Sequence, residues 1–208
     1  MSALNGDREV RRSGSGVLTI GKEIGYDNSL MGDYGFEKGV KDFRVMLINP
    51  PVSFDCFYGE WDLSDVKSSS PPIGILSLAS TIRKYGYEVK ILDAHAEGLT
   101  MEQIVEEVDL FRPQVVGLTA MTVMISASAQ IAENIKKSSP EIITIIGGVH
   151  VTAEPVETLN RYKQFDFAVI WEGEIVFTEF LEKIRKLEDL SSIQSLVWRK
   201  DTINANPR

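Results

Sequence analysis

Cysteine is nearly absent from this chain of 208 residues, with Cys56 the only one. One thiol forms no intramolecular disulfide, builds no thiolate zinc site and holds no iron–sulfur cluster by itself. Histidine is almost as scarce, represented by His95 and His150. No apolar run approaches the ~20 residues that a membrane span requires. The segment from Met1 to Val17 lacks the apolar stretch of a secretory signal. Basic residues are in deficit, 22 Lys and Arg against 30 Asp and Glu, for a formal net charge of −8. That balance argues against nucleic acid as a partner, because phosphate binding needs clustered cations. The expectation is a cytoplasmic protein without a membrane span. What is present is an ordinary globular composition, 43% hydrophobic and 25% charged. The length suits one well-buried domain plus appendages.

The chain divides in composition near residue 42. Residues 1–42 are rich in Gly, Ser and charge and offer little apolar surface to offset ordering entropy. They are expected to form an irregular leader, with residues 43–208 as the domain. From Arg44 onward, short Val/Ile/Leu runs alternate with apolar-periodic stretches. Strands are expected at Val45–Ile48, Glu88–Leu92, Val115–Leu118, Ile142–Ile146 and Phe167–Ile170. Helices are expected from Pro71-Pro72 to near Gly86, and at Leu99–Phe111, Val123–Lys137, Ala153–Tyr162 and Ile175–Leu187. Thr100 is placed as an N-cap, and Ser195–Arg199 as a possible extra edge strand. This alternation predicts an α/β fold: a five-stranded parallel, doubly wound, flavodoxin-like (Rossmann-like) sheet of order 2-1-3-4-5.

In such sheets a ligand lies outside the carboxyl ends of the strands. That rule selects Asn49 to Ser53, Asp93 to Gly98, Thr119 to Thr122, Gly147 to Thr152 and Trp171 to Glu174. Taken singly, their Gly and Thr residues serve as turns and caps; taken together they define a binding edge. Known nucleotide motifs do not occupy it. Asn49-Pro50-Pro51 and a long loop stand where a dinucleotide GxGxxG turn would be, and no Walker A lysine motif occurs. Pro71-Pro72 removes amide donors where a flavodoxin phosphate loop would need them, and Thr119 replaces the aspartate of a phospho-acceptor receiver.

The ordered set of loop sequences resembles a known family. The pieces are Leu47-Ile48-Asn49-Pro50-Pro51, Pro72-Ile73-Gly74-Ile75-Leu76-Ser77-Leu78-Ala79, Gly86-Tyr87-Glu88-Val89 and Asp93-Ala94. They continue with Pro113-Gln114-Val115-Val116-Gly117-Leu118-Thr119, Gly147-Gly148-Val149-His150-Val151-Thr152 and Glu172-Gly173-Glu174. The set resembles the cobalamin (vitamin B12)-binding domain that precedes a radical S-adenosylmethionine (radical SAM) domain. The group includes the anaerobic magnesium-protoporphyrin IX monomethyl ester cyclase.

The resemblance implies a corrinoid across the carboxyl edge of the sheet, its nucleotide tail beside the third and fourth strands. Gly147 and Gly148 would let the backbone approach that tail, and Thr119 and Thr122 would hydrogen-bond it. His150, Thr152, Glu172 and Gly173 would line the corrin rim, with Asn49, Pro50, Asp93 and His95 on the neighbouring loops. Asp93-Ala94-His95-Ala96-Glu97-Gly98 also spells DxHxxG, the string by which methionine synthase and methylmalonyl-CoA mutase supply a histidine to cobalt, backed by an aspartate. There it follows the first strand; here it follows the second. His95 is accordingly one candidate cobalt ligand, and the loop carrying Phe54, Phe57, Tyr58 and Trp61 another candidate to cover that face.

The implied function is a cobalamin-binding module, not catalytic alone, of a radical SAM methyltransferase or tetrapyrrole-type cyclase. S-adenosylmethionine and an iron–sulfur cluster would belong to a downstream CxxxCxxC domain, in cis or in trans. A stand-alone corrinoid methyl carrier using His95, and a flavodoxin-like module without corrinoid, are the alternatives.

Overall fold

The computed structural model describes residues 42–52, 70–199 and 202–206. All of them fall within one compact unit, Phe36–Arg208. The leader, Cys56 and the aromatic loop residues Phe54, Phe57, Tyr58 and Trp61 lie outside the described residues.

Among the described residues, seven strands form one sheet, in the order β2-β1-β3-β4-β5-β6-β7. They are β1 (Arg44–Asn49), β2 (Glu88–Asp93), β3 (Val115–Thr119), β4 (Ile143–Gly147), β5 (Phe167–Val169), β6 (Leu196–Arg199) and β7 (Ile203–Ala205). The first five pair in parallel, in the order expected. The strand expected over Ser195–Arg199 is present as β6, antiparallel to β5, but it is not the edge, because a further strand, β7, pairs antiparallel beyond it.

The helices are α1 (Ile73–Lys84), α2 (Ala94–Glu97), α3 (Met101–Phe111), α4 (Ile125–Ser138), α5 (Val149–Ala153), α6 (Pro155–Arg161) and α7 (Gly173–Lys186). Two of these differ from expectation. A single turn, α2, follows β2, and a short helix, α5, occupies the expected loop ahead of the helix predicted over Ala153–Tyr162, which is present as α6. The helices α5 and α6 meet at Glu154, with Pro155 opening α6. Proline lacks the amide that a continuous helix would need there and suits the first helical turn. Thr100 caps α3 as expected: its Oγ1 accepts the Gln103 N–H while Gln103 Oε1 accepts the Thr100 N–H.

Both faces of the sheet are covered, which is why its strands are continuously apolar rather than alternating. Met46, Ile48, Val116, Leu118 and Ile146 point into one layer, filled by Ile104 and Val108 of α3 and Ile131 and Ile135 of α4. Leu47 packs on the other face, toward Phe177 of α7 across Gly117, and α1 and α7 pack together there. Burial on both sides leaves the strand ends as the places where side chains meet solvent.

Candidate functional site

The carboxyl ends of the strands gather the predicted residues into two groups. The first closes β1 and β2. Asn49, 9% exposed, donates from Nδ2 to Asp93 Oδ1 at 2.8 Å, across the register pair that ends both strands. The same oxygen accepts the Ala96 N–H at 3.1 Å, and Gly98 closes the turn at φ 64°. In this chain, then, the DxHxxG string is a one-turn helix capped at each end. His95 lies in that turn, half-buried, and its Nδ1 accepts the Val52 N–H at 3.4 Å. A neutral imidazole that accepts at Nδ1 carries its proton on Nε2 and has no lone pair there for a metal. Pro50 is buried directly beyond β1.

The second group joins β3, β4 and β5. The Ala120 N–H donates to Gly147 O at 2.9 Å, and the His150 N–H donates to Ala120 O at 3.2 Å. Gly148 sits at φ 106°, ψ 177°, backbone open essentially to glycine alone. A Cβ there would stand 2.6 Å from Ala120 O and 2.9 Å from Ala120 N. Its glycine is therefore required by the approach of the two loops to each other. At Gly147, by contrast, a Cβ would find only Val169 O at 3.8 Å, an ordinary contact.

Around this interlock the polar side chains pair. His150 Nδ1 lies 3.2 Å from Thr122 Oγ1. Ser128 Oγ, reaching back from α4, donates to Thr119 O at 2.9 Å and steadies the end of β3. Thr152 Oγ1 accepts the Trp171 N–H at 3.0 Å, tying α5 to the loop after β5. Glu172 is the exposed N-cap of α7, and Gly173 its first residue. Ser77 Oγ in α1 donates to Glu174 Oε1 at 2.6 Å. Thr119, Thr122, Gly147, Gly148, His150, Thr152, Glu172 and Gly173 thus form one continuous rim. His95 stands apart from its centre: β2 is three positions from β4 in the sheet, about 14 Å at the usual strand spacing.

The same edge carries the surface apolar side chains. Of the ten large hydrophobic residues exposed among the described residues, Ile73, Leu76, Met121, Val149, Trp171 and Ile175 lie in loops or first helical turns at the carboxyl edge. Six of ten on one edge marks a binding surface rather than scattered exposure. A groove of about 500 Å³ beside Val105, Glu106, Leu110 and Asn134 lies between α3 and α4 instead. It sits on the outer helical layer, where none of the loops converges.

The B12 binding domain model matches residues 62–181, more than half of the chain. The chain belongs to the B12-binding domain family. This B12-binding domain is 30% identical over 166 residues to an uncharacterized methyltransferase of Pyrococcus horikoshii, covering 78% of this chain and 34% of that protein. It is 27% identical over 160 residues to the anaerobic magnesium-protoporphyrin IX monomethyl ester cyclase of Synechocystis sp., covering 76% of this chain and 31% of the cyclase. The chain therefore spans about a third of the length of these relatives. Its fold matches that of the radical S-adenosylmethionine methyltransferase TsrM from Kitasatospora setae, solved with cobalamin and a [4Fe-4S] cluster bound. The TM-score is 0.65 at 18% identity, over 79% of this chain and 28% of that one. The cobalamin-dependent S-adenosylmethionine radical enzyme OxsB matches with a TM-score of 0.58 at 19% identity, over 79% of this chain and 22% of that one.

The residues of this B12-binding domain suit its family's cofactor. A corrinoid is broad, apolar across its face and fringed with amides. The edge offers exposed Met121, Val149 and Trp171 for the face, with the Thr122–His150 pair and Glu172 for the fringe. Among the described residues, no group of three His, Cys, Asp or Glu side chains converges as a metal site. No helix among the described residues is long and apolar enough to cross a membrane. Sequence reasoning gave no individual role to Ala120, Ser128 or Trp171, although Ala120 and Trp171 lie within the loops it selected. A small residue directly after β3, and a serine one helical turn into α4, were the available signals for the first two.

Proposed function

We propose that residues 43–208 are the cobalamin-binding module of a radical SAM enzyme, a methyltransferase or a tetrapyrrole-type cyclase. The observation that carries this reading is the interlocked β3–β4–β5 rim with its exposed apolar strip, in a chain of the B12-binding family. Thr119, Thr122, His150, Thr152, Glu172 and the Gly147–Gly148 backbone hold the cofactor's polar periphery. When bound, cobalamin supplies a cobalt centre able to carry a methyl group. The chain's own task is to bind and orient it, and to leave one face open to a radical SAM domain, joined to it or separate. That domain would hold the S-adenosylmethionine and the iron–sulfur cluster, which a chain with one cysteine cannot hold alone.

Asn49, Asp93 and His95 fasten β1 to β2 beside this site. The Val52 N–H on His95 Nδ1 favours that role over cobalt ligation and so disfavours the stand-alone carrier. Titration of the 208-residue chain with hydroxocobalamin, followed by equilibrium dialysis and the visible spectrum, tests the reading. Saturable binding at micromolar protein is expected, with the same bound spectrum for His95→Ala. No binding overturns the cofactor assignment, and a changed spectrum for His95→Ala restores cobalt ligation by that residue.

A further inference from the structure

We propose that the groove between α3 and α4 is a docking site for a protein partner that presents a cationic amphipathic helix. The groove, about 500 Å³ in volume, follows α3 from Met101 to Leu110, about 14 Å at the helical rise. Met101, Val105 and Leu110 give it an apolar lining, and Glu102, Glu106 and Asp109 surround them with carboxylates. Leu110 is 72% exposed, more than any other large hydrophobic described residue that lies off the carboxyl edge.

Those three carboxylates are unfavourable to the helix that carries them. They stand four and three residues apart, so like charges face one another along α3. Asp109 lies in the last turn, where the helix dipole disfavours an anion and no basic residue offsets it. Glu102 keeps its charge, because its own backbone N–H and then the Thr100 hydroxyl hold its carboxyl below the ordinary range. Neighbouring carboxylates are neutralised instead: Glu107 pairs with Lys90, and Glu133 with Lys137. Among the described residues, no cation pairs with the three that border the groove.

This charge selects the occupant. Nucleic acid and anionic lipid would be repelled, and a second copy docked about a two-fold axis would set carboxylate against carboxylate. A partner with Lys or Arg flanking apolar side chains gains both attraction and burial. The walls select its form. Both are helices, whose main chains offer no open ladder to an extended strand, whereas a third helix can lay an apolar stripe between them.

Fluorescence anisotropy with a labelled helical peptide of about 14 residues, a Leu stripe flanked by Lys, tests this at about 50 mM salt. Saturable binding to the 208-residue chain is expected, with a Kd of about 10–100 μM. Leu110→Gln should weaken it at least about fivefold. Glu106→Gln with Asp109→Asn should do the same, and both variants should keep the parent Tm within about 2 °C. Glu141→Gln with Glu157→Gln removes as much charge from exposed positions elsewhere and should stay within about twofold of the parent. Equal weakening by that control, equal binding of a scrambled peptide of the same composition, or no saturable binding overturns the inference. Competition by hydroxocobalamin would place the peptide on the rim and overturn it as well.

Discussion

The two edges of the sheet are fastened by different means. At the amino edge, charged and polar side chains do the work. Lys136 Nζ lies 2.6 Å from Asp166 Oδ2, and that same oxygen accepts the Thr144 N–H at 2.8 Å. Tyr87 Oη donates to Glu182 Oε1 at 2.7 Å, with Arg185 and Lys186 also on Glu182. Gln114 Oε1 accepts the Arg44 N–H at 2.8 Å. At the carboxyl edge the β3, β4 and β5 loops are held by main-chain bonds and short hydroxyl contacts, and apolar side chains are left in solvent. One edge spends its polar groups on itself, and the other keeps its surface for a ligand. Stability and binding should therefore respond to different substitutions.

Gly148→Ala should break the carboxyl edge most severely. The added Cβ meets Ala120 backbone atoms at 2.6 and 2.9 Å in a conformation that alanine avoids. A loss of about 3 kcal/mol or more is expected from urea unfolding. Gly147→Ala, one residue earlier, should cost less than about 1 kcal/mol. Equal costs at the two positions would show that the loops do not interlock.

Asp166→Ala should damage only the amino edge. It strips an acceptor from Lys136 Nζ, the Thr144 N–H and Thr144 Oγ1. Unfolding should detect about 2–3 kcal/mol of lost stability, while the affinity for hydroxocobalamin is unchanged. Weaker binding in this variant would dissolve the division between the edges.

The smallest effect concerns pH. Burial alone would raise the Glu182 carboxyl, but hydrogen bonds from Tyr87 and Lys186 and the charge of Arg185 outweigh it and hold the group below its ordinary value. Burial first, and then the bond to Glu182, push the Tyr87 hydroxyl above its own range. A carboxyl depressed in the folded state stabilises fully above its unfolded pKa, and that contribution is lost as pH falls through the folded one. Stability should hold near neutrality and decline below about pH 4.5, the ordinary value for this group. Tyr87→Phe should remove about 1 kcal/mol at pH 7 and flatten the acid limb, as followed by unfolding midpoints between pH 7 and 3.

The sheet was legible because Val45–Ile48, Val115–Leu118 and Ile142–Ile146 are apolar on both faces, a pattern that parallel strands under helices demand. Elements too short to show a period were not. Val149–Ala153 has five residues and Ile203–Ala205 three, less than two turns or two alternations. Residues on the strand-end loops were selected as a group, since the strand-end rule points to position rather than to partners. Partners were the illegible part. The DxHxxG string does not reveal that Asp93 binds Asn49 and the Ala96 amide. Nor could propensity place Trp171 in a left-handed backbone, because propensity argues against it.

The closing hairpin returns the described backbone to the edge where the site loops lie. Because β6 and β7 each reverse direction, β7 again runs with the parallel strands. The Asn206 N–H reaches Leu196 O at 3.0 Å, and Leu196 is the register partner of Val169 at the end of β5. Asn206, the last described residue, thus lies on the side of the site loops. A group joined to Asn206 by a short linker would meet those loops at an effective concentration on the order of millimolar, whatever its intrinsic affinity for them. For such a group, the direction of one three-residue strand would make encounter with the site a matter of tether length instead of diffusion.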